Sequence, residues 1–199
     1  MKNSANGPDL ILASQSPRRR YLLSQAGLKF SVIPSRFDES SVSPMAPDAY
    51  VGCLAEKKAA DVAGQYPDHW VIGADTIVYV DDTILGKPRS RSEARTMLNT
   101  LSDRTHQVIT GYCVCRHRTG RLFSETVRTE VRFKKLTQSE IDWYINSDEP
   151  YDKAGAYAIQ GLGSFLVKSI KGSYTNVVGL PICEVMDFLI RENIIELEL

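Results

Sequence analysis

The longest apolar run in the chain is Trp70 to Val80, WVIGADTIVYV, β-branched and aromatic along most of its length. That composition predicts a buried strand. Similar shorter runs predict strands over Asp9 to Ala13 and Lys29 to Pro34, and a short return segment over Thr83 to Pro88 after the Asp81-Asp82 turn. Gln107 to Arg116 and Arg121 to Phe133 predict two long strands of a hairpin around Arg118-Thr119-Gly120, and Phe165 to Ile170 predicts one more. Helical signals alternate with these. Ser16 as cap, Pro17 at the first position and Gly27 as stop predict a helix from Pro17 to Ala26. Pro47 opens a second helix that ends near Gly64, and Ser92 to Leu101 forms a third. Thr137 with Glu140 is a capping box, which predicts a helix to about Asn146, and Pro181 opens a last one toward Arg191. Crossovers and hairpins in one chain predict an α/β fold with a mixed twisted sheet and flanking helices. Two polar stretches have no period: Ser35 to Pro47, with Asp38 and Glu39 in its middle, and the glycine-rich Asp148 to Ser164.

Composition narrows the function classes. The chain has 199 residues, 43% of them hydrophobic, enough to fill a core. Lys and Arg number 24, as do Asp and Glu. That balance argues against a general nucleic-acid coat or a membrane-surface role, so an anion must be met by a local basic cluster. No segment approaches the roughly 18 apolar residues of a membrane span, and Met1 to Pro8 lacks the apolar stretch of a signal peptide. Cys53, Cys113, Cys115 and Cys183 match no zinc spacing and read as reduced thiols of a cytoplasmic protein. His69, His106 and His117 are scattered, and neither a Walker motif nor GxGxxG is present.

Five places can carry chemistry. Asp75 lies inside the apolar run, where an ionised carboxylate is costly unless it is paired or holds a metal. It is a candidate general base or metal ligand, or else a structural ion-pair partner. Ser14-Gln15-Ser16-Pro17-Arg18-Arg19-Arg20 places three arginines at a helix N-terminus. Cations are unfavourable there unless an anion is bound or they point to water. Lys87 precedes Pro88 and is held extended. Lys57, seven residues from Tyr50 and three from Leu54, is expected on the apolar face of the second helix, as a snorkelling or a site lysine. Gln160, between Ile159 and Gly161, carries donor and acceptor groups suited to a nucleobase edge.

In order, these pieces are SxSPRR at Ser14 to Arg19, Asp38-Glu39, Glu56-Lys57, Gly73 to Thr76, Gly86 to Pro88, and DKAGAYxIQG at Asp152 to Gly161. The set resembles the Maf family of nucleoside triphosphate pyrophosphatases, from Leu10 to about the last helix. The resemblance implies one domain over residues 1–199, with a disordered tail of about eight residues. Its fold would have two lobes around a central cleft, similar to the inosine triphosphate pyrophosphatases. It implies hydrolysis of a triphosphate to a monophosphate and pyrophosphate with a divalent cation, Mg²⁺ or Mn²⁺, in a cytoplasmic homodimer. Asp75 is then expected to activate water, with Glu39 and Asp75 on the metal and Ser14, Ser16, Arg18, Arg19, Lys57 and Lys87 on the phosphates. Arg18, Thr76 and Gln160 stand at the family's specificity positions and resemble the subgroup acting on dTTP and UTP, which clears surplus or modified pyrimidine nucleotides before they enter nucleic acid. Ala158 and Ser164 stand where many members have glycine. A nucleotide sensor acting in cell division and a purine-preferring pyrophosphatase are the rival expectations.

Overall fold

A computed structural model describes residues 9–43 and 45–196; the expected N-terminal tail lies outside them. Seven strands form one sheet in the order β2-β1-β3-β5-β6-β7, with β4 on β3. Strand β1 (Leu10–Leu12) runs parallel to both β2 (Ser31–Val32) and β3 (Trp70–Val80). Strand β4 (Thr83–Leu85) returns antiparallel on β3, as β7 (Val167–Lys171) does on β6 (Arg121–Phe133). Strand β5 (Thr105–Arg116) lies between β3 and β6. The sheet is therefore mixed, as expected.

Local chemistry sets most boundaries. Asp81 and Asp82 both take positive φ (47° and 55°), the backbone that a two-residue hairpin loop demands, and Val80 pairs directly with Thr83. Helix α1 (Pro17–Gln25) opens on Ser16, whose hydroxyl accepts from the Arg19 amide, and closes before Gly27 at φ 75°. Helix α2 spans Pro47–Gln65, and α3 (Arg91–Leu101) is capped by Ser90. In α4 (Gln138–Ile145) the capping box is complete: the Thr137 amide donates to Glu140 and the Glu140 amide donates to Thr137 Oγ1. Helix α6 is Ile182–Arg191.

Two expectations need correction, and one element was not expected. The strand expected over Lys29 to Pro34 shrinks to the two residues of β2, because only Ile11 and Leu12 offer it a partner. The strand expected from Phe165 starts two residues later, since Gly161–Leu166 is a 3₁₀ segment. A five-residue helix α5 (Tyr174–Val178) was not signalled by any apolar period. It is held from below by Asn176, whose side-chain amide donates to Val108 O and Thr129 Oγ1.

The chain divides into two compact units. The first contains residues 1–75, 110–127 and 179–199; the second contains 76–109 and 128–178. Each has its own apolar core. In the first, α2 buries Ala55, Ala59 and Val62 against Ile11, Val71 and Cys113. In the second, Leu98, Val108, Phe133, Ile141 and Tyr144 pack together with Leu166.

Helix α2 rests directly on backbone. A Cβ at Gly73 of β3 would lie 2.3 Å from Ala55 O and 2.8 Å from Ala59 N, and one at Gly111 of β5 would lie 2.5 Å from Val51 O. Backbone cannot swing aside as a side chain can, so Gly73→Ala should destabilise by about 3 kcal/mol. Gly64→Ala, whose added methyl meets nothing within 4 Å, should instead stabilise the end of α2 by about 0.5–1 kcal/mol. Urea unfolding of both variants checks this; equal effects would mean that α2 does not bear on β3.

Candidate functional site

Strand β1 ends at Ala13, whose amide still donates to Ile72 O, and hands the chain to Ser14. The buried Ser14 hydroxyl accepts from the Ser16 amide at 3.2 Å and from Arg19 Nη1 at 3.3 Å. Arg19 Nε donates to Gly179 O at 2.7 Å. One guanidinium thus ties the start of α1 to the chain entering α6. Burial, helped by Arg18, draws the Arg19 pKa down, while the Asp75 and Glu39 charges oppose the shift; the group stays a cation at any physiological pH. The two serine hydroxyls turn onto the amides of their own turn and onto Arg19. This is how three arginines are tolerated at a helix N-terminus: one is tied inward, Arg18 is half-buried and Arg20 is exposed.

Asp75 sits in β3 two residues after Gly73, under α2. Its Oδ1 accepts from Lys58 Nζ at 2.7 Å, and the same ammonium lies 2.8 Å from Glu39 Oε1. The Lys58 and Asp75 side chains are only 12% and 13% exposed, whereas Glu39 is 55% exposed. The cost of a carboxylate in an apolar strand is thus offset by an ammonium. Glu39 opens a 3₁₀ turn, Glu39–Ser41, capped by Asp38 through the Ser40 amide. Tyr50 stands close by: burial, then the Asp75 and Glu39 charges, push its phenol pKa up, and Lys58 opposes them.

Lys57 is not the lysine that pairs with Asp75. It is exposed, while its neighbour Lys58 is half-buried. The expectation counted from Leu54 and the half-buried Tyr50, but the buried face of α2 is centred on Val51, Leu54, Ala55, Ala59 and Val62. Lys58 falls seven residues after Val51 and three after Ala55, and that register was the signal available in the sequence.

Thr76, Lys87 and Gln160 belong to the second unit. Thr76 and Gln160 are half-buried and Lys87 is exposed. The Gly155 amide donates to Gly86 O at 3.0 Å, so the turn carrying Lys87 is tied to the Ala154–Ala156 segment, which leads on to Gln160. Gly155 takes φ 68° with Val78 methyls directly against its Cα face, which leaves no room for a side chain. The four cysteines are free thiols.

Among the described residues no three His, Cys, Asp or Glu side chains gather as a metal cage. Glu39 and Asp75 nonetheless aim two carboxylates at one point, where Lys58 Nζ lies. Two hard oxygen donors suffice for a cation that keeps most of its waters and takes further oxygens from phosphates. The donor set fits Mg²⁺ or Mn²⁺.

The sequence profile of the Maf-like protein family matches residues 9–192. The chain belongs to the Maf-like family. Among curated family members, the dTTP/UTP pyrophosphatase of Syntrophus aciditrophicus is 49% identical over 180 residues, covering 90% of this chain and 88% of its own. That of Halalkalibacterium halodurans is 51% identical over 173 residues, covering 87% and 90%. Among solved structures, the Ham1 protein of Staphylococcus aureus aligns at 14% identity and a TM-score of 0.46, covering 92% of this chain and 98% of that one. Among the described residues, no helix of this Maf-like chain is long and apolar enough to cross a membrane.

Lys58 and Lys57 provide a direct check on the site. Lys58→Ala leaves the largely buried Asp75 carboxylate without its cation and should cost about 3 kcal/mol in urea unfolding. Lys57→Ala should stay within about 0.5 kcal/mol of the parent. The reverse order would mean that Lys57, not Lys58, faces Asp75.

Proposed function

We propose that this Maf-like chain hydrolyses dTTP and UTP to the monophosphate and pyrophosphate, acting on them in the cytoplasm and keeping surplus or modified pyrimidine nucleotides out of nucleic acid. The observation that carries the reading is the Glu39–Lys58–Asp75 group in the electrostatic reach of the half-buried Arg19. The names of its curated relatives, about half identical over most of the chain, support the choice of substrate.

The chemistry follows from the residues. Attack of water on phosphorus forms one P–O bond and breaks the anhydride P–O bond, leaving the electron pair on pyrophosphate. Asp75 takes the proton that the water gives up. Lys58 and Arg19 are fixed cations for the charge that builds on the phosphate oxygens, with Arg18 at the same helix end; Lys87 is assigned to the phosphates on its Gly86–Pro88 motif alone. The Ser14 and Ser16 hydroxyls set the turn from which Arg18 and Arg19 project. Glu39 and Asp75 would hold the divalent cation, which supplies further charge neutralisation when bound. Arg18, Thr76 and Gln160 are assigned to substrate choice, with Gln160 reading the base. The free thiols suit a reducing compartment.

Incubation with Mg²⁺ and a panel of triphosphates should release pyrophosphate from dTTP and UTP and little from ATP or GTP. Asp75→Asn keeps the shape and still accepts from Lys58, so nucleotide binding should survive while kcat falls by about 10²–10⁴. An Asp75→Asn protein that still turns over would remove Asp75 from the base role, and a parent releasing pyrophosphate from no nucleotide would overturn the whole reading. Sedimentation velocity should find a dimer; a monomer at assay concentration would remove the homodimer from the proposal.

A further inference from the structure

The segment around Gln160 is gripped from both sides by two side chains that the chemistry above does not use. Glu149 Oε1 accepts from the Tyr144 hydroxyl at 2.8 Å and from the Gly163 amide at 2.8 Å, and its Oε2 accepts from the Leu162 amide at 2.9 Å. The same Tyr144 hydroxyl accepts from the Ala158 amide at 3.2 Å. One phenol and one carboxylate therefore hold the backbone two residues before Gln160 and two and three residues after it.

The fit is specific to these groups. Every partner of the Glu149 carboxylate is a donor, so the site needs two acceptor oxygens and no hydrogen of its own. A Gln there would turn an NH₂ group toward an amide N–H or the phenol. Gly161, next to Gln160, sits at φ 68°, and a Cβ on it would lie 2.4 Å from Glu149 Oε2. Gly163 is as tight: its Cβ would lie 2.4 Å from Ala158 O and 2.7 Å from the Tyr144 hydroxyl. Tyr144 itself is fully buried in the second core, so that half of the clamp is anchored on α4 rather than on the loop. Burial and the Glu149 contact hold its phenol pKa far above the usual range, which keeps it a donor to the carboxylate.

We infer that Glu149 and Tyr144 are positioning residues for substrate choice: they fix the backbone that presents Gln160, and they act on base discrimination rather than on the hydrolytic step. The inference rests on Gln160 reading the base. Loops that select a ligand need their reading group pre-organised, because each alternative loop conformation lowers the population that can discriminate.

The test compares kcat/KM for dTTP with that for GTP in Glu149→Gln, Tyr144→Phe, Gln160→Ala and the Glu149→Gln/Gln160→Ala double variant. The dTTP preference should fall about tenfold in Glu149→Gln, the loss expected when a hydrogen bond to a charged group goes, and less in Tyr144→Phe. The dTTP loss should lie mainly in KM, with kcat close to the parent. The double variant should lose little more preference than Gln160→Ala alone, since both changes act on one group. If Glu149→Gln fails to fold, Tyr144→Phe carries the same test. Preference unchanged in the folded variants while Gln160→Ala lowers it overturns the clamp, as does a fully additive loss in the double variant. Preference unchanged in Gln160→Ala overturns the base-reading role on which the inference rests.

Discussion

Helix α2 can lie against β3 and β5 only because Gly73 and Gly111 carry no Cβ. At both places helix backbone occupies the volume a methyl group would need. This close approach brings the ammonium of a helix residue to within 2.7 Å of a carboxylate on the strand beneath. A larger residue at either glycine would lift the helix, and Lys58 would have to stretch or leave Asp75 unpaired. The ion pair is the reason a charge can persist in β3, and the glycine contacts are the reason the ion pair can form.

The same economy of charge holds at the start of α1. An arginine cluster there opposes the helix dipole. Arg19 is stabilised against this by the Gly179 carbonyl and the Ser14 hydroxyl, and by the field of Asp75 and Glu39. Two acids and two cations thus sit within one compact unit, each with partners. On the proposed function, such a group would suit a highly charged substrate because its cations are held in place beforehand, with little reorganisation left for the reacting state.

The second unit solves a different problem. Residues 149–166 form three short 3₁₀ segments with no regular ladder to satisfy their backbone amides. Side chains do that work instead: Glu149 and Tyr144 bind three of those amides, and Gly86 binds a fourth. Buried backbone donors must find partners somewhere, and here Tyr144 of α4, Glu149 at the start of the segment and Gly86 after β4 supply them. Order in this segment therefore depends on one acid of its own sequence, Glu149, as well as on Tyr144 of α4 and Gly86 outside it.

Some of this was legible in the chain and some was not. Composition and period placed β3, β5, β6 and the long helices, because strand and helix patterns are local. The caps at Ser16 and Thr137 and the left-handed Asp81-Asp82 turn are local as well, and Asp75 declared itself by its company. An ordered set of motifs was enough to point to the family. Contact with distant residues decided the rest. Two adjacent lysines, Lys57 and Lys58, are chemically identical; the register with Val51 and Ala55 hinted at Lys58, and the packing of that face of α2 on Gly73 and Gly111 turns it to Asp75. The brevity of β2, the late start of β7 and the existence of α5 likewise follow from partners far along the chain. The sequence by itself determined which groups could carry charge; the tertiary structure decided which of them meet, because a side chain's direction depends on what its element packs against.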